Sequence, residues 1–562
     1  MNWTKLRQLV TALATVIIVV ASLFGYVEAE TPPAKYLIFH VDAISTDLFA
    51  EQREAGNIPN IDAFFSDGTT VLGGLSLWPG GTEMIYPRMK PGLSNADHPF
   101  LGWQFYDVEE DRWVSNWEMM LKMWFGFPRR SIMSALYAHP PFLDFLAGMS
   151  MQNIPALLQQ YDVVELLWFS SDHAGHVSGL EAQLASLYRF DHYFGQLTEN
   201  MDLSTINVIL YSDHGMTFPH DGSKITDPRY LIPVIKVIPK ILGEELRGVY
   251  YPNVYLHDPA TAPQVAQKLI ENVDLDWALY RLDEHTLLGL HPEGTALWHS
   301  QGDRVAYIVQ EGPDPFGYDQ LGYKGEHLTR DEWLALTVDS RYPGAVPNVW
   351  GLSRNVNSGD VLLVINPPNV VYTLFTNTQN HKGLARTDLL VPILFRGPDL
   401  GHMAEVETMW LHELYNRYVP DIPFDQVPKR DKNHLDLRIP FDGKSLLQDG
   451  FAELRLSPLY RVNFGSRWQS RQFDVFAQYD LFSSFLTRWW LGLSLRYSSN
   501  ENTWNFSPHL EAQWQYGQWG ADFRLDHFEG QWDFEPTLRY FTSDYAWSVE
   551  LGAWRIGLRH YW

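Results

Sequence analysis

The sequence contains no cysteine among its 562 residues. Disulfide bonds and thiolate metal ligands are therefore excluded, and any bound metal must be held by histidine and oxygen ligands. Basic residues are also scarce, because 42 lysines and arginines face 67 aspartates and glutamates, for a formal charge of -25. Nucleic-acid binding needs a basic face, so we predict no such surface. A small phosphorylated ligand is still compatible with this charge, because bound divalent metals reverse the local field.

Long disordered segments are not indicated either. With 45% hydrophobic and 19% charged residues, the composition is that of a globular protein. The length is sufficient for more than one domain. The aromatic content of 14%, with 22 tryptophans, is high and indicates something beyond an ordinary core.

The first residues have the pattern of a secretory signal peptide. Lys5 and Arg7 form a positive region, an apolar stretch begins at Leu9, and a small-x-Ala site ends at Ala29. This pattern predicts a cleaved signal peptide over residues 1–29. An uncleaved anchor is the alternative, although the stretch is shorter than the ~20 residues of a membrane-spanning helix. We expect an exported protein in the periplasm or outer membrane of a Gram-negative-type bacterium.

Residues 30–420 are predicted to form an α/β domain. Continuous apolar runs alternate with helical stretches, which predicts a mixed, mostly parallel sheet flanked by helices. The runs are Lys35–Val41, Val163–Phe169, Ile206–Tyr211 and Val391–Phe395. Within this domain, residues 258–380 are less regular and are interpreted as an insertion that caps the site. Residues 421–449 are polar and contain proline, so we assign them to a linker.

The remaining residues, 450–562, alternate apolar and polar side chains, as in Trp504, Asn505, Phe506 and Ser507. We count about eight such strands, each near the ~10 residues of a membrane-crossing β-strand. The pattern predicts a C-terminal antiparallel β-barrel-like domain with its apolar face toward the lipid of the outer membrane. A soluble antiparallel sheet would alternate equally well and remains the alternative.

Acidic and histidine residues lie close to the predicted strands. Because strand ends hold side chains rigidly at one edge of a sheet, these groups are expected to converge. Imidazole nitrogens and carboxylate oxygens suit zinc, and such a set can serve two ions. Taken singly, each residue could instead be a helix N-cap or make an ordinary hydrogen bond. The candidate ligands are Asp42, Asp172, His176, Asp213, His214 and His381.

The order of these motifs resembles the type I phosphodiesterase/nucleotide pyrophosphatase branch of the alkaline phosphatase superfamily, from about Lys35 to Leu400. The family's catalytic threonine is followed by a Gly-Leu pair, a histidine and a Tyr-Asp pair. Thr82 has the same succession, although a turn threonine after Gly80-Gly81 is the alternative. The matching motifs here are Asp172–Gly179, Ser212–Met216, His381 with Gly383, Gly92-Leu93, His98 and Tyr106-Asp107.

The resemblance implies a two-metal site with zinc as the expected ion. Thr82 would act as the nucleophile and form a phospho-threonine. One metal would be held by Asp42, Thr82, Asp213 and His214. The other would be held by Asp172, His176 and His381.

One departure from the family concerns a phosphate-binding asparagine, which would align with Trp103. Trp103 could line a leaving-group pocket or belong to the core. The sequence thus predicts a phosphodiesterase or phosphatase acting on a small phosphorylated substrate. Alternatives are a phosphonate hydrolase on the same scaffold, or a non-catalytic surface protein with a relic metal site.

Overall fold

The computed structural model describes most of the chain after the predicted signal peptide, which lies outside the described residues. The described residues are 34–119, 141, 144–158, 161–218, 230–372, 380–424, 434–440, 451–459, 462–469, 472–483, 487–498, 503–516, 518–528, 531–542, 547–552 and 555–561.

The elements of the α/β part are numbered here in chain order. Its strands are β1 (Tyr36–Val41), β2 (Thr69–Leu75), β3 (Phe105–Asp107), β4 (Arg112–Val114), β5 (Val163–Trp168), β6 (Asn207–Tyr211), β7 (Leu231–Ile232), β8 (Leu246–Tyr250), β9 (Asn253–Leu256), β10 (Trp277–Arg281), β11 (Thr286–His291), β12 (Gly294–Gln301), β13 (Arg304–Glu311), β14 (Val361–Val364), β15 (Val370–Val371), β16 (Leu390–Arg396) and β17 (Thr408–Trp410). Its α-helices are α1 (Thr46–Glu54), α2 (Pro59–Phe65), α3 (Thr82–Met89), α4 (Asp144–Gln152), α5 (Ile154–Leu158), α6 (Ser170–Ser178), α7 (Leu180–Asn200), α8 (Val234–Leu242), α9 (Ala262–Asn272), α10 (Arg330–Thr337), α11 (Ala345–Ser353) and α12 (Arg386–Leu389).

A six-stranded sheet in the order β17-β2-β16-β6-β1-β5 forms the centre of the α/β part. Strand β1 pairs in parallel with both β5 and β6, so His40 lies opposite Leu167 on one side and Tyr211 on the other. Strand β16 is antiparallel to both of its neighbours, β2 and β6. The predicted mixed, mostly parallel sheet is therefore confirmed.

Both faces of this sheet are covered, which explains the continuous apolar runs. Along β1, Tyr36 and Ile38 belong to one buried cluster, whereas Leu37 and Phe39 belong to another. Helix α7 covers the second face, where the ring of Phe39 contacts the ring of Phe194 with centroids 5.3 Å apart. Among the described helices, none combines the length and the apolar composition needed to cross a membrane.

A second sheet is regular where the sequence suggested irregular insertions. Seven strands pair in the order β13-β12-β11-β10-β14-β9-β8, all of them antiparallel. Five of these, β10 to β14, lie within residues 258–380, so the expectation of irregular structure there is wrong. Short strands interrupted by glycine- and proline-containing turns hide the alternation in the sequence. That this region caps the site remains a prediction.

The C-terminal part is a closed antiparallel barrel, as predicted. It has ten strands rather than about eight. The strands are β18 (His434–Pro440), β19 (Phe451–Leu459), β20 (Val462–Gln469), β21 (Gln472–Ser483), β22 (Thr487–Ser498), β23 (Thr503–Tyr516), β24 (Trp519–Phe528), β25 (Gln531–Phe541), β26 (Trp547–Gly552) and β27 (Arg555–Tyr561). Strand β18 lies in the segment that we assigned to a linker, and it closes the barrel by pairing with β27.

The barrel is polar inside and apolar outside. Its outward side chains include many exposed leucines and aromatic residues, for example Leu493, Trp519 and Phe534. Its interior is filled by buried arginines that pair with carboxylates: Arg455, for instance, donates to Glu453 at 2.7 Å and to Glu511 at 2.9 Å. The predicted inward polar network therefore exists as a set of charge pairs.

Candidate metal centre

The structure brings all six predicted ligands and Thr82 to one edge of the central sheet. Asp42 directly follows β1, and Asp213 and His214 follow β6 after one intervening residue, Ser212. Asp172 and His176 lie four residues apart on α6, which begins just after β5. Because β1, β5 and β6 are parallel, their carboxyl ends meet at the same edge. The sheet topology thus explains why residues far apart in sequence converge.

One cluster contains Asp42, Asp213, His214 and Thr82. The hydroxyl of Thr82 donates to Oδ2 of Asp42 over 3.4 Å. Nε2 of His214 lies 3.3 Å from Oδ1 of Asp42 and 3.5 Å from Oδ2 of Asp213. Two buried carboxylates thus meet at one imidazole, beside the hydroxyl of the predicted nucleophile.

A second cluster contains Asp172, His176 and His381. Oδ1 of Asp172 lies 3.2 Å from Nε2 of His176 and 3.5 Å from Nε2 of His381. The two imidazole Nε2 atoms are 3.1 Å apart. A single cation between these three atoms would satisfy all of them at once.

His214 lies between the two clusters. Its ring stacks on that of His381, with centroids 3.8 Å apart. Ligand atoms of His214, Asp172 and His381 lie within 4.8 Å of one another, as do those of His40, Asp42 and Asp213. Seven metal-ligating side chains therefore surround a space suited to two neighbouring ions, and the assignment of His214 to one of them remains a prediction.

The chemistry of the donors fits divalent metals. Oδ1 of Asp42, Oδ1 of Asp172 and Oδ2 of Asp213 are buried and have no hydrogen-bond donor in the described part of the chain. Burial, together with the charges of Asp213 and Asp172, raises the pKa of Asp42 well above its usual range. Buried carboxylates without donors are costly unless a cation compensates them. The residues present thus fit a metal pair.

The histidine rings are oriented for this role by backbone carbonyls. Nδ1 of His381 lies 2.9 Å from the carbonyl oxygen of Gly80, and Nδ1 of His214 lies 2.9 Å from that of Gly215. A proton on Nδ1 leaves the lone pair of Nε2 for a metal. Burial, with the nearby His214 and Lys382, lowers the pKa of His381 well below its usual range, so the ring is neutral.

The loop before Thr82 approaches its neighbours closely at two glycines, and at Gly80 the neighbour is backbone, which requires glycine. A Cβ atom at Gly80 would lie 2.8 Å from the carbonyl oxygen of His381, and one at Gly81 would lie 2.7 Å from Glu83. This close approach brings Thr82, the first residue of α3, against the ligands. Farther back, the N–H of Trp78 donates to the side-chain oxygen of Asn348, which anchors the loop to α11.

Sequence reasoning missed three residues of this centre. His40 lies within β1, and its Nε2 is 3.0 Å from Oδ1 of Asp213. Lys382 donates to the carbonyl of Gly80 at 2.8 Å and pairs with Glu83 at 3.1 Å, both beside the nucleophile loop. The available signal for His40 was a lone polar residue inside an otherwise apolar strand.

Trp103, the weakest of the predicted site residues, is not among the metal-ligating atoms. It packs against the buried cluster of Tyr86, Leu167 and Phe169. Tyr86 lies one turn along α3 from Thr82. Trp103 is therefore close to the nucleophile helix, and its contact with substrate remains a prediction.

Asp388 is a buried carboxyl beside the segment that follows His381, and it makes the stability of the protein depend on pH. Its carboxylate accepts from the hydroxyl of Thr217 and, at 2.7 Å, from the N–H of Gly383. Burial raises its pKa to about 7, although both hydrogen bonds oppose this shift. Because the folded pKa exceeds the unfolded value of about 3.9, the folded chain keeps a proton that the unfolded chain releases. This contribution to stability is present below pH ~4 and is lost as the pH rises through about 7.

Asp388→Asn is expected to reduce the loss of folding stability with rising pH, because a neutral amide can make contacts with the same two groups. Between pH 5 and pH 8, wild type should lose on the order of 2–4 kcal/mol relative to the variant. The measurement is chemical unfolding of both metal-free proteins across this pH range. The difference between their free energies of unfolding removes the contribution of the other titrating groups. Parallel stability curves would contradict the assignment.

Comparisons with known proteins agree with the geometry. The sequence profile of the type I phosphodiesterase / nucleotide pyrophosphatase family matches residues 74–386. Murine ectonucleotide pyrophosphatase / phosphodiesterase 5 is similar at 14% identity, with 68% of this chain and 93% of that chain covered and a TM-score of 0.42. Phosphonoacetate hydrolase from Sinorhizobium meliloti 1021 is similar at 13% identity, with 70% and 96% covered and a TM-score of 0.36. No curated protein matches.

The profile match spans more than half of the chain, from the end of β2 to the start of α12. The chain therefore belongs to the type I phosphodiesterase/nucleotide pyrophosphatase family of the alkaline phosphatase superfamily, and it is a metal-dependent hydrolase of phosphoesters.

Proposed function

We propose that the protein hydrolyses phosphate esters in two steps through a phospho-threonine at Thr82, on a pair of divalent metals. The observation that carries this proposal is the cluster of buried carboxylates with donor-free oxygens at one sheet edge, in which Asp42 also accepts from the hydroxyl of Thr82. Zinc is the proposed ion, because the donors are imidazole and carboxylate groups and the chain has no cysteine. The bound metals would activate the hydroxyl and neutralise charge on the phosphoryl oxygens.

In the first step, Oγ1 of Thr82 forms a bond to phosphorus, and the bond between phosphorus and the leaving oxygen breaks. The hydroxyl proton passes toward Oδ2 of Asp42, its hydrogen-bond acceptor. In the second step, water attacks the phosphorus of the phospho-threonine, and the bond to Oγ1 breaks. One proton of this water passes to Oγ1 of Thr82, the proton taken up by Asp42 in the first step passes to the leaving oxygen, and the net reaction consumes one water.

The test of this proposal is hydrolysis of three substrates by zinc-loaded and chelator-treated protein: p-nitrophenyl phosphate, bis-p-nitrophenyl phosphate and p-nitrophenyl phenylphosphonate. Activity that is lost on chelation and restored by zinc is expected, and the preferred substrate separates monoesterase, diesterase and phosphonate hydrolase. Bound metals without turnover on any of the three would contradict the proposal and favour a binding protein.

We further propose that the barrel anchors the enzyme in the outer membrane. Support comes from the distribution of the exposed side chains. The end of the barrel at which β18 begins is here called the entry end. Exposed aromatics at the entry end are Trp489, Trp519, Tyr540 and Trp547, and those at the far end are Trp504, Phe506, Trp532 and Phe534.

Exposed aliphatic side chains lie between these two aromatic girdles, for example Leu491, Leu493 and Val549. Trp532 and Tyr540, on one strand, are eight residues apart, which is ~26 Å of extended chain or ~20 Å after a strand tilt of ~40°. An apolar band of ~25 Å between two aromatic girdles is characteristic of outer-membrane barrels. Exposure of this aliphatic surface to water would be unfavourable, whereas lipid would bury it.

A further inference from the structure

Helix α4 presents an apolar stripe that leads to the rim of the barrel. Phe145 and Met149 are four residues apart on this helix and are 51% and 39% exposed. Residues at this spacing share one face of a helix, and the next residue at the same spacing, Asn153, directly follows the end of α4. Asn153 is buried, and its side-chain amide donates to the carbonyl oxygen of Gln515 in β23, at 3.4 Å.

An adjacent face of α4 is fixed against the catalytic domain. Asp144 accepts from Nε of Arg189 in α7 at 2.6 Å. Gly148 lies so close to Tyr193 that a Cβ atom would be 2.4 Å from the ring. The helix therefore cannot rotate to bury Phe145 and Met149 without losing these contacts.

Gln515 lies at the entry end of the barrel. It is one residue from Tyr516, which pairs with Trp519 of the entry-end aromatic girdle. With a rise of 1.5 Å per residue, Met149 lies at most ~6 Å and Phe145 at most ~12 Å along the helix from the rim contact. The interfacial layer on each side of a bilayer is ~5–8 Å thick. Met149 thus falls at interfacial depth, and Phe145, whose ~12 Å is an upper bound, falls at the outer edge of the same interfacial layer.

We infer that the exposed stripe of α4, Phe145 and Met149, lies in the lipid interface beside the barrel, so that the catalytic domain rests on the bilayer. This inference rests on the proposed outer-membrane location of the barrel. The short distance between the stripe and the rim of the proposed membrane barrel, set by the contact of Asn153 with Gln515, favours lipid over a protein partner as its occupant. Helix α7 contacts α4 through Arg189 and Asp144, and it contacts α6, the helix that carries Asp172 and His176, through Ser186 and Ser170.

The absence of native cysteine permits single-site labelling. Single variants Met149→Cys, Leu493→Cys and Leu282→Cys of the full chain are labelled with an environment-sensitive fluorophore and reconstituted into phosphatidylcholine vesicles. Half of the vesicles carry nitroxide-labelled lipid. Leu493 lies among the aliphatic side chains between the two aromatic girdles, and its label reports whether the barrel itself is in the membrane. Leu282 is an exposed leucine on the second sheet and serves as the matched control. Hydrolysis of phosphate esters by each labelled variant verifies folding.

Nitroxide lipid is expected to quench the labels at Leu493 and Met149 about two-fold or more and to leave that at Leu282 unchanged. Quenching at Leu493 without quenching at Met149 would overturn the inference and leave the barrel anchor standing. Absence of quenching at both positions would overturn the membrane location together with the inference.

Discussion

Replacing Thr82 with alanine is expected to lower kcat/KM by at least about 10³-fold on every ester that the enzyme hydrolyses. Its hydroxyl is the nucleophile of the proposed mechanism, and it lies 3.4 Å from Oδ2 of Asp42. The remaining carboxylates and imidazoles would still hold metal, so the metal content should stay close to that of wild type. Steady-state kinetics and metal analysis of the same preparation check both statements.

Two further variants sharpen this test. Thr82→Ser retains a hydroxyl and should keep a measurable part of the activity, whereas Thr198→Ala, on the outer helix α7, should behave as wild type. Acid quenching during turnover should trap a phosphoryl group on Thr82, detectable as a mass shift of its peptide. Wild-type turnover by Thr82→Ala would exclude the phospho-threonine and require another nucleophile.

Glu453→Ala is expected to destabilise the barrel by about 3–5 kcal/mol. The carboxylate of Glu453 is buried and accepts from Arg455 at 2.7 Å and from Arg467 at 2.8 Å. Nε2 of His434 lies 3.3 Å from the same group. Truncation removes the close carboxylate partner of the buried Arg467 and one of the two partners of Arg455, and a buried charge that loses its partner costs more than the pair contributed. Glu453→Gln should cost less, because the amide oxygen still accepts.

Unfolding of the purified protein in detergent, followed as a function of urea concentration, measures this loss. The matched control is Glu535→Ala. Glu535 is also on the barrel but is partly exposed, and its ion pairs with Arg438 and Arg555 measure 3.7 and 3.9 Å. A small change is expected there. Equal losses for both variants would mean that the interior charge network does not set the stability of the barrel.

Much of the catalytic centre could be predicted because its residues follow the strand ends. Asp42 and Asp213 come within two residues of the end of an apolar strand, and parallel pairing brings such positions together. His40 could not be predicted in the same way. It lies inside β1, and its contact with Asp213 depends on which strands are neighbours, information that local periodicity does not contain.

The second sheet and the number of barrel strands were harder to predict for a different reason, which is that the local sequence pattern of their strands is unclear. Strands such as β11 and β12 form a hairpin with a two-residue turn, yet their mixed polarity does not alternate cleanly enough to reveal them. Strand β18 does alternate, with Leu435 and Leu437 exposed and Asp436 and Arg438 buried. The sequence predicts a linker here because residues 421–449 are polar and contain proline, and this composition hides the short alternation of β18.

The pairing of β18 with β27 has a consequence for the attachment of the catalytic domain. Strand β18 is the first barrel element after that domain, and Asp436 on it accepts from Arg559 of β27 at 2.9 Å. Strand β18 therefore has two roles: it closes the barrel by pairing with β27, and it connects the barrel to the catalytic domain. Removal of β27 would expose two open edges and leave Asp436 without that partner. Loss of the C-terminal strand β27 would thereby destabilise β18, the strand that connects the barrel to the catalytic domain.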